Sequence, residues 1–278
     1  MNYIVITKNS YELQSSFMKI HTSLNKDFKK KKELITKDGQ IKFQNKKSNI
    51  KTQGLKKSSQ KWLGRQLRDP FANAAKIEGY LARSAYKLLE IQNKYHIINN
   101  QTNIIIDLGC SPGSWSQAIL TNQQFKGSKV IGIDLLPVKF QHPNLYFIQG
   151  NFEEQQTQKA IVEQIKKLKE DAISTEGLAK KKIGKKVQAD CIICDIALNN
   201  IGNAEIDRIR SERIIELALW FCSKYLVNGG NFVCKALKGA DNSVFTSLKQ
   251  MFKYAYRFKP KASRKDSSEI FLVGIEKK

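Results

Sequence analysis

Residues 104–117, IIIDLGCSPGSWSQ, run three isoleucines into an aspartate, a glycine-rich turn and a tryptophan. A short β-branched run that meets glycine and then a helix-compatible segment predicts strand, tight turn and helix. Open α/β sheets hold nucleotide-like ligands at such a junction. The dinucleotide fingerprint G-x-G-x-x-G is absent, and so is the phosphate loop G-x-x-x-x-G-K-[ST]. Pro112 has no N–H to offer, so Cys110-Ser111-Pro112 is a poor cradle for pyrophosphate. Asp134 ends the next apolar run, KVIGID, where a carboxylate can accept hydrogen bonds from both hydroxyls of a ribose. These features favour a ligand with a ribose and without a phosphate, and S-adenosylmethionine has that composition.

Outward from this stretch, short β-branched runs at 104–107, 130–134, 145–149, 190–194 and 231–236 alternate with helical segments. That alternation predicts a mostly parallel sheet covered by helices on both faces. DPFANAAKIEGYLARSAYKLLEIQNKY reads as helical, with Asp69 and Pro70 as cap and first turn. EIDRIRSERIIELALWFCSKYLV is the clearest helix, with Asn228-Gly229-Gly230 as its stop signal. YAYRFKP and EIFLVGIEK flank the polar turn KASRKDSS and predict an antiparallel C-terminal hairpin at the sheet edge. The Lys-rich stretch around 155–188 reads as an exposed insertion without chemistry. No internal repeat is visible.

The chain has 278 residues, 41% of them apolar, which is enough for one domain with extra segments. Lys and Arg number 48 against 25 Asp and Glu, a net charge of +23 that points to a polyanionic partner, nucleic acid first. Residues 1–60 carry fourteen lysines and four acidic residues without sustained periodicity, and read as a basic, flexible N-terminal extension before a single domain at 61–278. The five cysteines are scattered and flanked by apolar residues, which predicts reduced thiols in a core. Cys191 and Cys194 form a C-x-x-C with no second pair nearby, so packing is favoured over a metal site. No apolar run is long enough to span a membrane, and the N-terminus lacks the pattern of a secretory signal.

ARSAYKLLEI, DLGCSPGSWSQ, GIDLLP, CDIALNNIG, NFVCKALKGADN and FKPKASRKDSSEIFLVG occur in this order. Together they resemble the RrmJ/FtsJ family of S-adenosylmethionine-dependent RNA ribose 2′-O-methyltransferases. KWLGRQLRDPFANAAKIEGYLARSAYKL is most similar to the branch that modifies a uridine of large-subunit ribosomal RNA in bacteria and mitochondria. The resemblance spans about residues 61–278, leaving the basic extension and much of 155–188 unmatched, and implies a Rossmann-like class I methyltransferase with a seven-stranded sheet. It implies a catalytic Lys-Asp-Lys-Glu tetrad at Lys87, Asp195, Lys235 and Glu269. It also implies cofactor contacts at Gly109, Gly113, Trp115, Asp134, Asn151 and Asp195. Asn151 stands where the family commonly has an aspartate for the adenine amino group, and Leu198 where it commonly has proline. An amide oxygen still accepts that hydrogen bond, but without negative charge, which predicts weaker cofactor affinity.

A ribose hydroxyl is a very weak acid, and an ordinary lysine is protonated at neutral pH, with a pKa of about 10.4. A cluster of two lysines and two carboxylates titrates as a set, with ammonium and carboxylate neighbours acting in opposite directions. Lys235 is expected to be the general base, or the donor that stabilises the incipient alkoxide. Lys87 and Asp195 would orient it, and Glu269 would complete the hydrogen-bond frame. Arg65, Arg68, Arg83, Lys238 and Arg264 are candidate phosphate contacts, and Trp62 a candidate base-stacking residue. No aromatic RNA-stacking motif stands out in the sequence. The expected partner is ribosomal RNA of the large subunit or its precursor, bound by a monomer that assists ribosome biogenesis. The basic extension suggests the mitochondrial matrix, with bacterial cytoplasm as the alternative. Methylation of tRNA or an mRNA cap, and an inactive methyltransferase fold that assists ribosome assembly, are competing readings.

Overall fold

The computed structural model describes residues 69–125, 127–176, 187–197 and 201–278. The N-terminal extension, Trp62, Arg65, Arg68 and Leu198 lie outside the described residues. Helices α1 (Pro70–Glu78) and α2 (Ser84–Tyr95) precede β1 (Ile104–Leu108), α3 (Ser114–Leu120), β2 (Lys129–Asp134) and β3 (Leu145–Gln149). Then come α4 (Gln155–Glu176), β4 (Ala189–Cys194), α5 (Ala204–Tyr225) and β5 (Leu226–Leu237). The chain closes with α6 (Asp241–Met251), β6 (Phe252–Phe258) and β7 (Glu269–Lys277).

The seven strands lie in the order β3-β2-β1-β4-β5-β7-β6. Pairings from β3 through β5 are parallel, while β7 runs antiparallel to both β5 and β6. The expected mostly parallel sheet with an antiparallel C-terminal hairpin is therefore present. The second hairpin strand, β7, joins the sheet, and the first, β6, forms its edge.

Period-two alternation sends successive side chains to opposite faces of the sheet. Ile104, Ile106 and Leu108 pack with Ile192, Phe232 and Cys234 under α4, α5 and α6. Ile105, Cys191, Ile193 and Val233 pack on the other face with Leu88, Ile91, Trp115 and Ile119 from α2 and α3. All five cysteines are free and buried. Cys191 and Cys194 are three apart on one strand, face opposite cores and cannot share a ligand.

Three boundaries differ from the sequence expectations. The segment after Asp69 is two helices, broken at Gly79 with φ of +81°. The Gln117 amide of α3 holds the break by accepting from Leu81 N–H at 2.9 Å and donating to the Gly79 carbonyl at 2.8 Å. Helix α5 ends at Tyr225 rather than at the glycines, because Lys277 Nζ donates to the carbonyls of Cys222, Ser223 and Leu226 at 2.7–3.1 Å. A cation from the far end of the chain thus satisfies its last carbonyls. Asn228 to Gly230 instead sit in β5, at the register shift opposite Ala189 and Cys191. The stretch expected to be an exposed insertion begins with α4, which buries Ile161, Ile165 and Leu168 against the sheet. Residues 177–186 lie outside the described residues.

Candidate active site

Strand order reverses between β1 and β4, so the loops after these strands open a crevice at the carboxyl ends of the sheet. The loop after β1 is drawn against β2: Gly109 and Cys110 N–H donate to the Ile133 carbonyl at 2.8 and 3.2 Å. Gly109 has φ of +75°, and a Cβ there would lie 2.5 Å from Ile196 Cγ1 and 3.0 Å from its Cα. Only glycine lets this loop pass so close to the backbone that follows Asp195. Gly113, at φ +108°, is similarly crowded by Phe140 and Val138.

Asp134 accepts Ser111 N–H at 2.9 Å on one oxygen and Leu136 N–H at 2.8 Å on the other. Lone pairs remain on both oxygens for a ribose. Asn151 uses its side-chain oxygen to accept Glu153 N–H at 3.1 Å. Trp115 is fully buried, donates from Nε1 to the Ser84 carbonyl at 2.9 Å, and packs on Phe271. Its indole therefore braces α2 against β7 from inside the core, and any part it takes in ligand binding falls to its backbone and its packing.

Beneath the loop Asp107 is completely buried. Ser116 Oγ donates to one carboxyl oxygen at 2.7 Å, and the other oxygen has no partner. Burial pushes its pKa up to about 7, and the neighbouring Asp195 and Asp134 add to the rise against the Ser116 bond. Three carboxyl groups thus converge on one loop, an arrangement that fits a cationic ligand. The unfolded value is about 3.9, so folding favours the protonated form. Stability from this group is present at low pH and lost as pH rises from about 4 to 7, on the order of 4 kcal/mol. In Asp107→Asn that loss should disappear, which denaturant unfolding at pH 5, 6, 7 and 8 would measure. Equal pH slopes for both proteins would contradict the assignment.

The four candidate catalytic residues meet beside this loop as two ion pairs. Asp195 directly follows β4, and Lys235 projects from β5 on the same face as Val233. Lys235 Nζ donates to the Asp195 carbonyl at 2.9 Å and lies 3.1 Å from its carboxyl Oδ1. That Oδ1 is buried and receives no hydrogen bond of good angle, so the contact is chiefly electrostatic. Lys87 projects from α2, one turn before Ile91, and reaches both Glu269 oxygens at 2.7 Å. Phe271 lies under the Lys87 ammonium, 5.7 Å from Nζ to ring centre.

The Lys87–Glu269 side chains are 12% and 14% exposed, and those of Lys235–Asp195 13% and 16%. Burial works to raise the Glu269 pKa. The Lys87 ammonium, hydrogen bonds from Lys87 and Ser263, and the Lys235 ammonium outweigh it and hold the carboxyl below its ordinary range. Lys235 is thus close enough to Glu269 to link the two pairs.

Two further supports lie outside the sequence expectations. Ser263 is buried and donates to Glu269 Oε1 at 2.7 Å. Glu90 of α2 accepts the N–H groups of Lys261 and Ala262, both at 2.7 Å, and pins the hairpin turn. Three serines in KASRKDSS look alike, and only the folded turn singles out Ser263.

Of the expected phosphate contacts, Lys238 is exposed just past the end of β5, and Arg264 is half-buried in the hairpin turn. Arg83 is tied down: it donates to the Ala262 carbonyl and lies over Phe71. Burial and then the Arg264 guanidinium lower its pKa, while Glu269 and Asp266 oppose them. A small cavity of about 170 Å³ includes Lys235, Glu269 and Ile196 in its lining. A second, of about 560 Å³, shares Leu237 with it and reaches Arg208, Lys238 and Ser268.

The FtsJ-like methyltransferase family matches residues 80–277. The ribosomal RNA large subunit methyltransferase E of Rickettsia felis is 35% identical over 242 residues, covering 85% of this chain and 97% of that protein. Its namesake from Rickettsia bellii is 35% identical over 243 residues, with the same coverage. The crystal structure of a ribosomal RNA methyltransferase from Plasmodium falciparum superposes with a TM-score of 0.52 at 32% identity. That match covers 71% of this chain and 98% of the other.

Proposed function

The chain belongs to the FtsJ-like methyltransferase family, and from that premise we propose that it methylates a uridine ribose 2′-oxygen in large-subunit ribosomal RNA. The observation that carries this reading is the pairing of Lys235 with Asp195 and of Lys87 with Glu269 beside the loop after β1. The names of the Rickettsia and Plasmodium relatives support the choice of ribosomal RNA, and the net charge of +23 suits a polyanionic substrate.

S-adenosylmethionine supplies the methyl group as an electrophilic sulfonium. Gly109 and Gly113 shape the loop that would hold it, braced by Trp115. Asp134 would take the ribose hydroxyls, Asn151 the adenine amino group, and Asp195 would add charge of the complementary sign. Chemistry then requires alignment and a nucleophilic hydroxyl. As the neutral amine Lys235 accepts the departing hydroxyl proton; as the ammonium it instead donates to the oxygen as negative charge grows there. Asp195 fixes its ammonium from two sides. Lys87, held by Glu269, whose carboxylate Ser263 fixes in turn, supplies a second positive charge at the same place. Arg83, Lys238 and Arg264, with Arg65 and Arg68, contact RNA phosphates.

The same reading makes the protein a monomeric ribosome-biogenesis enzyme of a single domain over 61–278, with residues 1–60 as its basic extension. It places the enzyme in the mitochondrial matrix, on the strength of that extension, and in the bacterial cytoplasm as the alternative. Among the described residues no helix is long and apolar enough to cross a membrane. Incubating the protein and a labelled methyl donor with purified large subunits, tRNA and capped RNA tests the proposal. Label should enter only the large-subunit RNA, and label in tRNA or capped RNA instead would overturn it.

A further inference from the structure

Edge strand β6 carries an aromatic stripe that leads toward the KASRKDSS turn. Period-two alternation places Tyr254, Tyr256 and Phe258 on one face of the strand. Tyr95, the last residue of α2, lies 4.9 Å from Tyr256 and 5.6 Å from Phe258, ring centre to ring centre. Lys94 sets its ammonium over both Tyr95 (5.2 Å) and Phe258 (4.6 Å), and Lys253 lies over Tyr254 at 5.1 Å.

Ordinary packing accounts for half of this cluster. Tyr95 and Phe258 are partly buried against the core, whereas Tyr256 and Tyr254 remain 40% and 44% exposed. Two exposed tyrosines beside lysines on a sheet edge stabilise little by burial. They do present flat π-faces within a cationic surface, the combination that holds single-stranded nucleic acid. The stripe is also in reach of the reaction. Lys87 and Lys94 lie two turns apart on α2, roughly 10 Å along its axis, and Phe258 pairs in register with Phe271, two residues beyond Glu269.

We infer that Tyr256, seated on Tyr95 beside Lys94, and Tyr254 on the same strand face stack against an unpaired base of the substrate RNA near the target nucleotide. This rests on the RNA-methyltransferase reading above. Bases unstacked in loops are the usual targets of sequence-tolerant recognition by aromatic side chains, with phosphates held by nearby lysines. Exposed Lys259, Lys261 and Lys265 in the hairpin turn extend the positive surface toward the tetrad.

The test compares the wild type, a Tyr254→Ala/Tyr256→Ala double variant and a Tyr254→Phe/Tyr256→Phe double variant. Each is assayed for binding to protein-free large-subunit RNA, for methylation kinetics on it, and for S-adenosylmethionine affinity. The alanine pair should bind RNA on the order of 5- to 100-fold more weakly and show a raised KM. Its turnover at saturation and its cofactor affinity should match the wild type. The phenylalanine pair should bind like the wild type, because the ring faces are kept. Unchanged affinity in the alanine pair would overturn the inference, as would equal loss in the phenylalanine pair, which would assign the effect to the hydroxyls. A defect confined to intact subunits would also overturn it, in favour of contact with a ribosomal protein. If the wild type methylates ribosomal RNA while the alanine pair is normal, only the stripe fails. If the wild type has no activity on purified large subunits or on their RNA, both readings fail together.

Discussion

Lys235→Ala is expected to lower single-turnover methyl transfer by about 10²–10⁴-fold, with S-adenosylmethionine affinity close to that of the wild type. Lys235 is the one lysine of the pair that extends from the sheet itself, and it is bonded to the backbone and carboxylate at the end of β4. Removing it deletes the group proposed to take the hydroxyl proton or to stabilise the negative charge growing on the oxygen. Gly109 and Gly113 of the loop after β1 and Asp134 at the end of β2 make no bond to Lys235, and its partner Asp195 keeps its backbone place after β4, so cofactor binding should survive. Rapid-mixing methylation assays and calorimetry measure the two quantities separately. Near-wild-type transfer would remove Lys235 from the chemistry, and loss of cofactor affinity alone would reassign it to binding.

Glu269→Ala is expected to lower folding stability by about 3 kcal/mol and to depress turnover as well. The variant leaves the Lys87 ammonium, 12% exposed in the wild type, over a phenylalanine ring without its carboxylate. An uncompensated charge in that position costs more than the pair contributed when complete. The pH dependence has a definite sign. Because the folded Glu269 carboxyl sits below its ordinary range, its contribution is present above the unfolded value of about 4.3. It is lost as pH falls through the folded value. Denaturant unfolding across acid pH should show this loss in the wild type and not in Glu269→Ala. A stability difference that is the same at every pH would contradict it. Asp107, whose folded value is raised, acts in the opposite direction over about pH 4 to 7.

Local signals were readable where local chemistry decides. The isoleucine run of β1 forms a strand buried on both faces, and the alternation along the chain gives the strand-and-helix order of the sheet. Lys87, Asp195, Lys235 and Glu269, scattered in sequence, lie in the fold as two ion pairs. What escaped the sequence was decided by distant partners. Asn228-Gly229-Gly230 looks like a helix stop, but α5 ends earlier because Lys277 reaches its last carbonyls. The lysines of α4 suggest an exposed insertion, yet Ile161, Ile165 and Leu168 recur at helical spacing and seal one face of the sheet. Tyr95 and Tyr256 are unremarkable apart, and only the pairing of α2 with β6 makes them a surface. Trp115 shows the reverse: its place in the motif suggests contact with the cofactor, while its indole is spent on Ser84 and Phe271.

The central claim is that this tetrad methylates one uridine ribose in large-subunit ribosomal RNA. Mapping ribose methylation along that RNA from cells lacking the protein, and from the same cells given wild-type or Lys235→Ala protein, tests it most directly. One uridine should lose its 2′-O-methyl group and regain it only with the wild type. An unchanged map in the cells lacking the protein, or full restoration by Lys235→Ala, would contradict it.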